Sequence, residues 1–315
     1  MTFARRTVLK SSVLLGAPAL LAAEAQAASA PTVSVTEVDR GFVRISDGQV
    51  HFRAIGWNGG KPRKTAHLPL YMAHAGPGSS AGSVPLMQAL AQDRIVIAPD
   101  NLGAGDSAPP AVASPDVAYY AESVVRILDA LGIRQVDFYG AHTGTHIGCE
   151  LALRAPTRVR KLVFNGVALF SDELKVDLLK NYAPPQQADD AGRQLAWAWQ
   201  FIRDMSLFFP HYAHDAAHRL NNPVNSAEAL NRGVVDVLKV LPTYHLGYHA
   251  VFRHDVRSRL PQLHAPVLCM CTERDPLSQY LDEAARLVPG AKKMLIPRNA
   301  GPDEMPAAIR AFLNA

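Results

Sequence analysis

A histidine lies between two glycines in the segment GAHTGTHIG, residues 140–148, and the residue types around it suit acid–base chemistry. The imidazole of His142 can accept and return a proton near neutral pH. The segment follows an apolar run typical of a buried strand and opens a stretch of small residues typical of a helix. Since a helix N-terminus presents unpaired backbone N–H groups, an anion formed beside His142 would find hydrogen-bond donors there.

Further histidines follow residue 169. His211, His214 and His218 are spaced i, i+3 and i+7, and His245 and His249 are spaced i, i+4, so a helix would place each set on one face. Three helical histidines can bind zinc or copper. Because no carboxylate or cysteine motif accompanies them, we predict no metal site and interpret them as polar lining of a pocket, with metal binding as the alternative.

The elements that must position these residues alternate between strands and helices. Strand-like runs VHFRAIGW, LPLYMAHA and RIVIAPD precede a predicted helix over 116–131, which ends at Gly132. The pattern returns near the C-terminus with PVLCMCT, a helix over 278–287, KKMLIP and a helix over 304–313. This alternation predicts an α/β fold with a mostly parallel sheet covered by helices on both faces.

The alternation stops between residues 169 and 254, where we find no convincing strand and predict helix throughout. An insertion at this place would lie over the carboxyl ends of the strands, where such sheets bind ligands. A helical extension packed elsewhere is the alternative. The predicted organisation is a leader over 1–30, a first core part over 31–168, a helical cap over 169–254 and a second core part over 255–315.

Three motifs stand in the order found in a large enzyme family. HAGPGSS at 74–80 follows one strand, APDNLGAGDSAPP at 98–110 follows the next, and GAHTGTHIG follows a third. Together they resemble the α/β-hydrolase fold, most closely its capped branch of epoxide hydrolases, haloalkane dehalogenases and carbon–carbon bond hydrolases. The resemblance covers essentially the whole chain after the leader. It implies an α/β-hydrolase core with an inserted helical cap.

In that family, the third motif is a sharp strand-to-helix turn that lifts a nucleophile above the sheet. Here Gly140 and Gly144 hold the flanking positions and His142 is the lifted residue. The resemblance implies that the backbone N–H groups of Gly76 and Thr143 form an oxyanion hole, whose chemistry is independent of side-chain identity. A nucleophilic Thr143 is the less favoured alternative, because the turn lifts only one residue.

Two of the family's three catalytic positions are altered. The acid position falls on Asp275 in CTERDPL, but Pro302 in RNAGPDEMP occupies the position of the family's histidine, and His142 replaces the nucleophile. Without a nucleophile and its base, the family's covalent mechanism does not transfer. We expect His142 to reach Asp275 through space that Pro302 leaves. The carboxylate would then fix the tautomer of a general base.

The resemblance implies a hydrolase, or a related lyase, for a small and partly apolar substrate such as an ester, a lactone or a compound with a labile carbon–carbon bond. It implies no cofactor. Tyr244, His245, Tyr248 and His249 precede the return to the core, and we predict substrate contacts among them. A non-catalytic relative that only binds its ligand is the alternative.

The first 30 residues have the features of an export signal. Arg5 and Arg6 precede an apolar run over about 13–23, which is shorter than the roughly 20 residues that cross a bilayer, and alanine-rich cleavage sites follow. We expect the twin-arginine export machinery as a partner, and a periplasmic or secreted protein with no stable membrane anchor. The net charge of +4 is scattered, which disfavours nucleic-acid binding. Three cysteines are too few for a disulfide framework, and we expect them to be buried.

Overall fold

The computed structural model describes residues 37–58 and 61–315, so the predicted leader over 1–30 lies outside the described residues. The strands are β1 (Asp39–Ile45), β2 (Gly48–Ile55), β3 (Trp57–Asn58), β4 (Lys61–Pro62), β5 (Leu70–Ala73), β6 (Val96–Pro99), β7 (Val136–Ala141), β8 (Val159–Asn165), β9 (Val267–Thr272) and β10 (Lys292–Ile296). The α-helices are α1 (Val84–Leu90), α2 (Val117–Ala130), α3 (Thr143–Arg154), α4 (Asp172–Asn181), α5 (Arg193–Asp204), α6 (Ala227–Lys239), α7 (Tyr244–Arg253), α8 (Val256–Arg259), α9 (Leu281–Leu287) and α10 (Glu304–Asn314). None of the helices in the described part of the chain is long and apolar enough to cross a bilayer.

Eight strands form one sheet in the order β1-β2-β6-β5-β7-β8-β9-β10. The pairs β1–β2 and β2–β6 are antiparallel, and every neighbouring pair from β6 to β10 is parallel. The prediction of a mostly parallel α/β sheet is therefore confirmed. The sequence reasoning missed the edge strand β1, the short β3–β4 hairpin and α1, which are short or only half-buried elements.

The core is built on both faces of the parallel strands, which explains why these strands are apolar at nearly every position. Leu70 and Met72 of β5 pack in the apolar cluster that includes α1 and α10. Tyr71 and Ala73, whose side chains alternate with them, pack in the cluster that includes α2, α3 and the inserted helices. The sheet is thus held between two helical layers, and the carboxyl ends of its strands remain available for a site.

The segment between β8 and β9 holds α4 to α8, and its part over 169–254 is not helical throughout as predicted. The stretch 205–226 between α5 and α6 consists of turns and loops with one isolated β-bridge, between Phe208 and Arg219. Pro210 and Pro223 lie in this stretch, and a proline has no N–H to continue a helix. The cap is therefore a set of helices joined by a long irregular connection.

Asp100, which follows β6, ties together the loops beneath the site. Its buried carboxylate accepts hydrogen bonds from Ser80 N–H at 2.7 Å, from Asp106 N–H at 3.0 Å and from His51 Nδ1 at 2.8 Å. Burial raises the pKa of this carboxyl, but the hydrogen bonds outweigh burial and hold the pKa well below its ordinary value of 3.8. Three segments distant in the sequence thus depend on one ionised group.

We predict that Asp100→Asn lowers the free energy of unfolding by about 2–4 kcal/mol, because an amide cannot accept this set of donors and leaves a buried group unsatisfied. Because the folded pKa is depressed, this stabilisation should be present above pH 4 or so and decline as the pH falls toward the folded pKa. Urea unfolding of both proteins measures the difference. The control is Asp129→Asn, whose exposed ion pair with Arg158 should be worth less than about 1 kcal/mol. Equal losses in the two variants would contradict the role of Asp100.

Candidate active site

The turn between β7 and α3 holds His142 in a conformation that is rare for a residue with a side chain. Its φ is 46° and its ψ is −104°, and no other non-glycine residue in the described ranges has a positive φ. A Cβ at Gly140 would lie 2.3 Å from the Gly144 carbonyl oxygen, and one at Gly144 would lie 2.3 Å from the Ala73 carbonyl oxygen. Only glycine fits these two positions, and together they allow the strained turn that presents the imidazole.

The His142 ring contacts a carboxylate that comes from the far side of the neighbouring strand. His142 Nε2 lies 2.6 Å from Asp275 Oδ2, and Asp275 Oδ1 accepts a hydrogen bond from Leu277 N–H at 2.9 Å. A carboxylate can only accept, so Nε2 carries the proton and Nδ1 keeps its lone pair. The His142 side chain is 39% exposed, which leaves that lone pair available to a ligand.

The two groups shift each other's pKa in opposite directions. Burial lowers the pKa of His142, but the charge of Asp275 and the hydrogen bond to it outweigh burial and raise the pKa above its ordinary value of 6.5. Burial raises the pKa of Asp275, but the charge of His142 and the hydrogen bonds to the carboxylate hold it below its ordinary value. The pair therefore combines a strengthened base with a carboxylate that stays ionised.

The space for this contact comes from Gly166 and not from Pro302. Since β8 lies between β7 and β9, a bond from His142 to Asp275 must pass over the end of β8, where Gly166 follows the strand. A Cβ at residue 166 would lie 2.7 Å from His142 Cδ2 and 2.9 Å from its Nε2. Pro302 is exposed in a turn and does not line the site, so the expectation that it leaves room for the ring is corrected.

The two expected oxyanion donors lie side by side, but one of them already has a partner. Gly76 N–H donates to the Thr143 hydroxyl oxygen at 3.3 Å. The Thr143 N–H is at the first position of α3, where a helix offers no carbonyl to accept it. The side chain of Thr143 therefore matters to the site, because its hydroxyl occupies the Gly76 donor.

A cavity of about 490 Å³ lies over these groups, between the core and the cap. Its wall is mainly aliphatic and aromatic, which favours a ligand with an apolar body. The core contributes Ala75, Gly76, Pro77, Gly78, His142, Thr143, Ala168, Thr272, Arg274, Asp275, Pro276 and Leu277, and the cap contributes Phe170, Tyr182, Ile202, Met205, Ser206, Phe209, Asn225, Ala229, Gly233, Tyr248, Val251 and Phe252.

The comparisons with known proteins agree with this architecture. The family model described as alpha/beta hydrolase fold matches residues 69–302, which is more than half of the chain. The chain belongs to the α/β-hydrolase fold family. This confirms the resemblance that the three sequence motifs predicted.

Relatives of this α/β-hydrolase-fold chain carry hydrolase names. It is 31% identical to proline iminopeptidase of Heyndrickxia coagulans over 293 residues, 87% of this chain and 98% of that protein. It is 44% identical to 2-hydroxymuconate semialdehyde hydrolase of Pseudomonas sp. (strain CF600) over 106 residues, which are 33% of this chain and 38% of that protein. The structure of epoxide hydrolase A from Mycobacterium thermoresistibile superposes with a TM-score of 0.69 at 19% identity, covering 89% of this chain and 99% of the other.

Of the four cap residues predicted to contact substrate, Tyr248 lines the cavity. Val251 and Phe252, on the same face of α7, line it as well. The other three do not. The Tyr244 hydroxyl donates to the Pro184 carbonyl oxygen, in the loop after α4. His249 Nε2 lies 3.0 Å from the carbonyl oxygen of Ala183 in the same loop. His245 packs against His249. Their polar atoms are therefore turned toward the cap interior, because α7 presents only one face to the cavity.

The other cap histidines do not come together either, because their segment is not helical. His211 Nε2 lies 2.8 Å from the Tyr182 carbonyl oxygen, His214 lies 3.0 Å from Asp204 and His218 lies 2.8 Å from Asp215. The cluster of possible metal ligands in the described ranges, formed by His51, Asp100 and Asp106, includes none of them. The three cysteines are free and buried, as predicted.

A buried polar chain behind α3 was missed by the sequence reasoning. His146 Nδ1 lies 3.0 Å from His254 Nδ1, His254 Nε2 lies 3.1 Å from Glu150, and Arg259 donates to both oxygens of Glu150. This chain connects the helix that carries the His142 turn to the segment where the cap returns to the core. The i, i+4 spacing of His146 and Glu150 was the only available signal, and the partners are more than 100 residues away.

We predict that Gly166→Ala breaks the contact between His142 and Asp275, because the added methyl group takes the space of the ring. The wild-type His142 should titrate above 6.5, and its pKa should fall in Gly166→Ala and in Asp275→Asn, since both remove the charge or its contact. Heteronuclear NMR titration of the ring measures this. The control is the variant Asp129→Asn, which removes an exposed carboxylate that does not line the cavity and should leave the His142 pKa unchanged. An unchanged His142 pKa in Asp275→Asn would contradict the coupling.

Proposed function

We propose that this protein is a hydrolase that uses His142 as a general base and water as the nucleophile. The observation that carries the proposal is the 2.6 Å contact of His142 Nε2 with Asp275, which leaves Nδ1 unprotonated on a ring that lines a cavity of about 490 Å³. No serine, cysteine or aspartate stands at the lifted position of the turn. A group that cannot form the family's covalent ester, but can remove a proton, suits direct attack by water.

In the proposed reaction, Nδ1 removes a proton from water as the water oxygen bonds to the substrate carbonyl carbon. The carbonyl electron pair moves to oxygen, which the N–H groups of Gly76 and Thr143 stabilise. Gly76 first exchanges the Thr143 hydroxyl for this oxyanion, and its 3.3 Å bond is long enough to give way. When the intermediate collapses, the bond to the leaving oxygen breaks and the imidazolium returns its proton to that oxygen. An ester yields an acid and an alcohol, and a lactone opens to a hydroxy acid.

The His142–Asp275 pair can accelerate hydrolysis without a covalent intermediate between enzyme and substrate. General-base action contributes roughly 10²–10⁴-fold, and one oxyanion donor contributes roughly 10²–10³-fold. Asp275 contributes by holding the tautomer with Nδ1 unprotonated and by stabilising the imidazolium that forms. Small esters and lactones with apolar bodies are the substrates that this cavity favours. Activated ketones with a labile carbon–carbon bond are a further substrate class, because cleavage of that bond also begins with attack on a carbonyl.

A non-catalytic ligand-binding role is the second candidate. The observation in its favour is that Gly76 N–H already donates to Thr143, so the resting site is internally hydrogen-bonded. In this case His142 would only hydrogen-bond a ligand in the cavity. The two candidates differ in whether removing the imidazole changes turnover or only affinity.

We predict that His142→Ala lowers kcat on activated aryl esters and lactones by roughly 10²–10⁴-fold while ligand affinity changes little, because the base acts mainly in the transition state. Initial rates and calorimetric binding of a non-hydrolysable amide analogue measure the two effects. The matched control is His264→Ala, which removes an exposed imidazole outside the cavity. Serine-directed fluorophosphonates should leave the wild type fully active. If no ester or lactone of a broad panel is turned over by the wild type, the binding role is favoured.

We also propose that the protein is exported in folded form by the twin-arginine machinery and acts in the periplasm or outside the cell. The support is the pair Arg5 and Arg6, the short apolar run that follows, and the alanine-rich cleavage sites. The first 30 residues lie outside the described residues, so this proposal depends on the sequence pattern alone.

We predict that replacing Arg5 and Arg6 together with lysine retains the precursor in the cytoplasm, because the twin-arginine pathway reads the guanidinium pair rather than the charge. Cell fractionation followed by immunoblotting measures the mature and precursor forms. A matched control replaces Arg40 and Arg44, which lie in the mature chain, with lysine. Normal export of the Arg5/Arg6 double variant would exclude this route.

A further inference from the structure

We propose that the cavity takes substrates that carry a carboxylate, held by three arginines at its mouth. These residues, Arg219, Arg274 and Arg298, line a second cavity of about 280 Å³, which we call the arginine vestibule. The inference names the substrate class for the proposed hydrolase and in that respect rests on the proposed function. Its binding step is independent of any reaction.

The vestibule adjoins the cavity that holds the imidazole, because the two share part of their lining. Phe209, Arg274, Asp275 and Pro276 line both spaces. Arg274 immediately precedes the carboxylate that contacts His142, so its side chain begins one residue from the reacting groups. A ligand that places a carbonyl beside His142 can therefore extend a short arm into the vestibule.

The three guanidinium groups have no carboxylate partner among the ion pairs of the described residues. Arg274 donates only to the backbone carbonyl of Arg298, at 3.2 Å from both Nε and Nη2, and Arg298 Nη1 donates to the Asn221 carbonyl at 2.6 Å. Arg219 has no side-chain hydrogen bond or ion pair in the described ranges. Donors of a planar guanidinium that are free of protein acceptors are suited to a carboxylate of a ligand.

The acidic groups nearby do not cancel this charge. Glu273 Oε2 accepts the backbone N–H of Arg298 at 2.8 Å, which leaves one carboxylate facing three guanidinium groups. The Asp275 carboxylate is engaged by His142, and His218 is paired with Asp215. The vestibule therefore has a net positive charge beside an apolar cavity.

The inner cavity is apolar and the vestibule is positively charged, and together they indicate which ligand fits. Aromatic side chains of Phe170, Tyr182, Phe209 and Phe252 line the inner cavity and favour an apolar body. Because Arg274 and Asp275 line both spaces, we infer that the ligand carries its carboxylate on a short arm from the reacting carbonyl. Half-esters of short dicarboxylic acids with an aromatic or alkyl alcohol, and lactones with a carboxylate side arm, meet these requirements.

The binding experiment compares hydrocinnamate with its neutral amide by titration calorimetry at low salt. We expect the wild type to bind the carboxylate about tenfold more tightly than the amide, with the preference falling as salt is added. Arg219→Gln and the double variant Arg219→Gln/Arg298→Gln should reduce the preference stepwise, about threefold per arginine. Arg219→Gln is the cleaner change, because its guanidinium holds no part of the protein. The double variant Arg44→Gln/Arg134→Gln, which removes the same charge from exposed sites elsewhere, should retain the wild-type preference.

A turnover experiment separates this inference from the proposed function. Monophenyl glutarate and its neutral methyl phenyl diester are the two substrates. In Arg219→Gln we expect KM to rise about threefold for the half-ester, with kcat and the kinetics of the diester unchanged.

The outcomes are distinguishable. An equal preference for carboxylate in wild type, Arg219→Gln and the Arg219→Gln/Arg298→Gln variant would overturn the vestibule, as would tighter binding of inorganic phosphate than of hydrocinnamate. Loss of the preference in these variants, with no turnover of either ester, would support the vestibule and contradict the proposed hydrolase. Turnover of both esters with no discrimination between them would support the hydrolase and contradict the vestibule.

Discussion

The contact between His142 and Asp275 depends on a single geometric constraint, the order of three neighbouring strands. The imidazole rises from the end of β7 and the carboxylate from the end of β9, and β8 lies between them. The hydrogen bond can form only if the backbone that follows β8 does not enter the space between the imidazole and the carboxylate. The residue at that position must also lack a side chain. Gly166 meets both conditions, with a φ of 76° that favours glycine and no Cβ to meet the ring. The contact between the imidazole and the carboxylate follows from this arrangement, whereas the strained turn at His142 depends on Gly140 and Gly144.

Much of the fold could be predicted from the sequence because the parallel strands are buried on both faces and the helices between them carry clear apolar periodicity. The positions of His142 and Asp275 could be predicted because the motifs around them resemble those of a known family. Gly166 could not, since nothing in the residues near 166 indicates which strand lies beside which. The stretch 205–226 was predicted as helix because it contains no convincing strand, whereas its prolines favour a looped path.

The residues around α7 show how the same helix can support two roles. Tyr248 and Phe252 face the cavity, and Tyr244, His245 and His249 hold the cap together by contacts with the loop after α4 and with each other. Sequence position alone placed Tyr244, His245, Tyr248 and His249 near a ligand, and only their positions around the helix axis distinguish them. The buried chain from His146 to Glu150 has a similar structural role, because it attaches the helix of the catalytic turn to the base of the cap.

The cavity has a further consequence if the nucleophile is water rather than a side chain. In an enzyme with a serine or aspartate nucleophile, the attacking atom is part of the cavity wall and the ligand can fill the remaining space. Here the attacking atom belongs to a water molecule that must bind beside the substrate. That water needs about 30 Å³ next to Nδ1 that the substrate leaves empty. A larger or more tightly fitting ligand would displace it and bind without reacting. Selectivity in such a site would therefore depend on the volume that a ligand fails to fill, and the tightest ligands would be inhibitors rather than substrates.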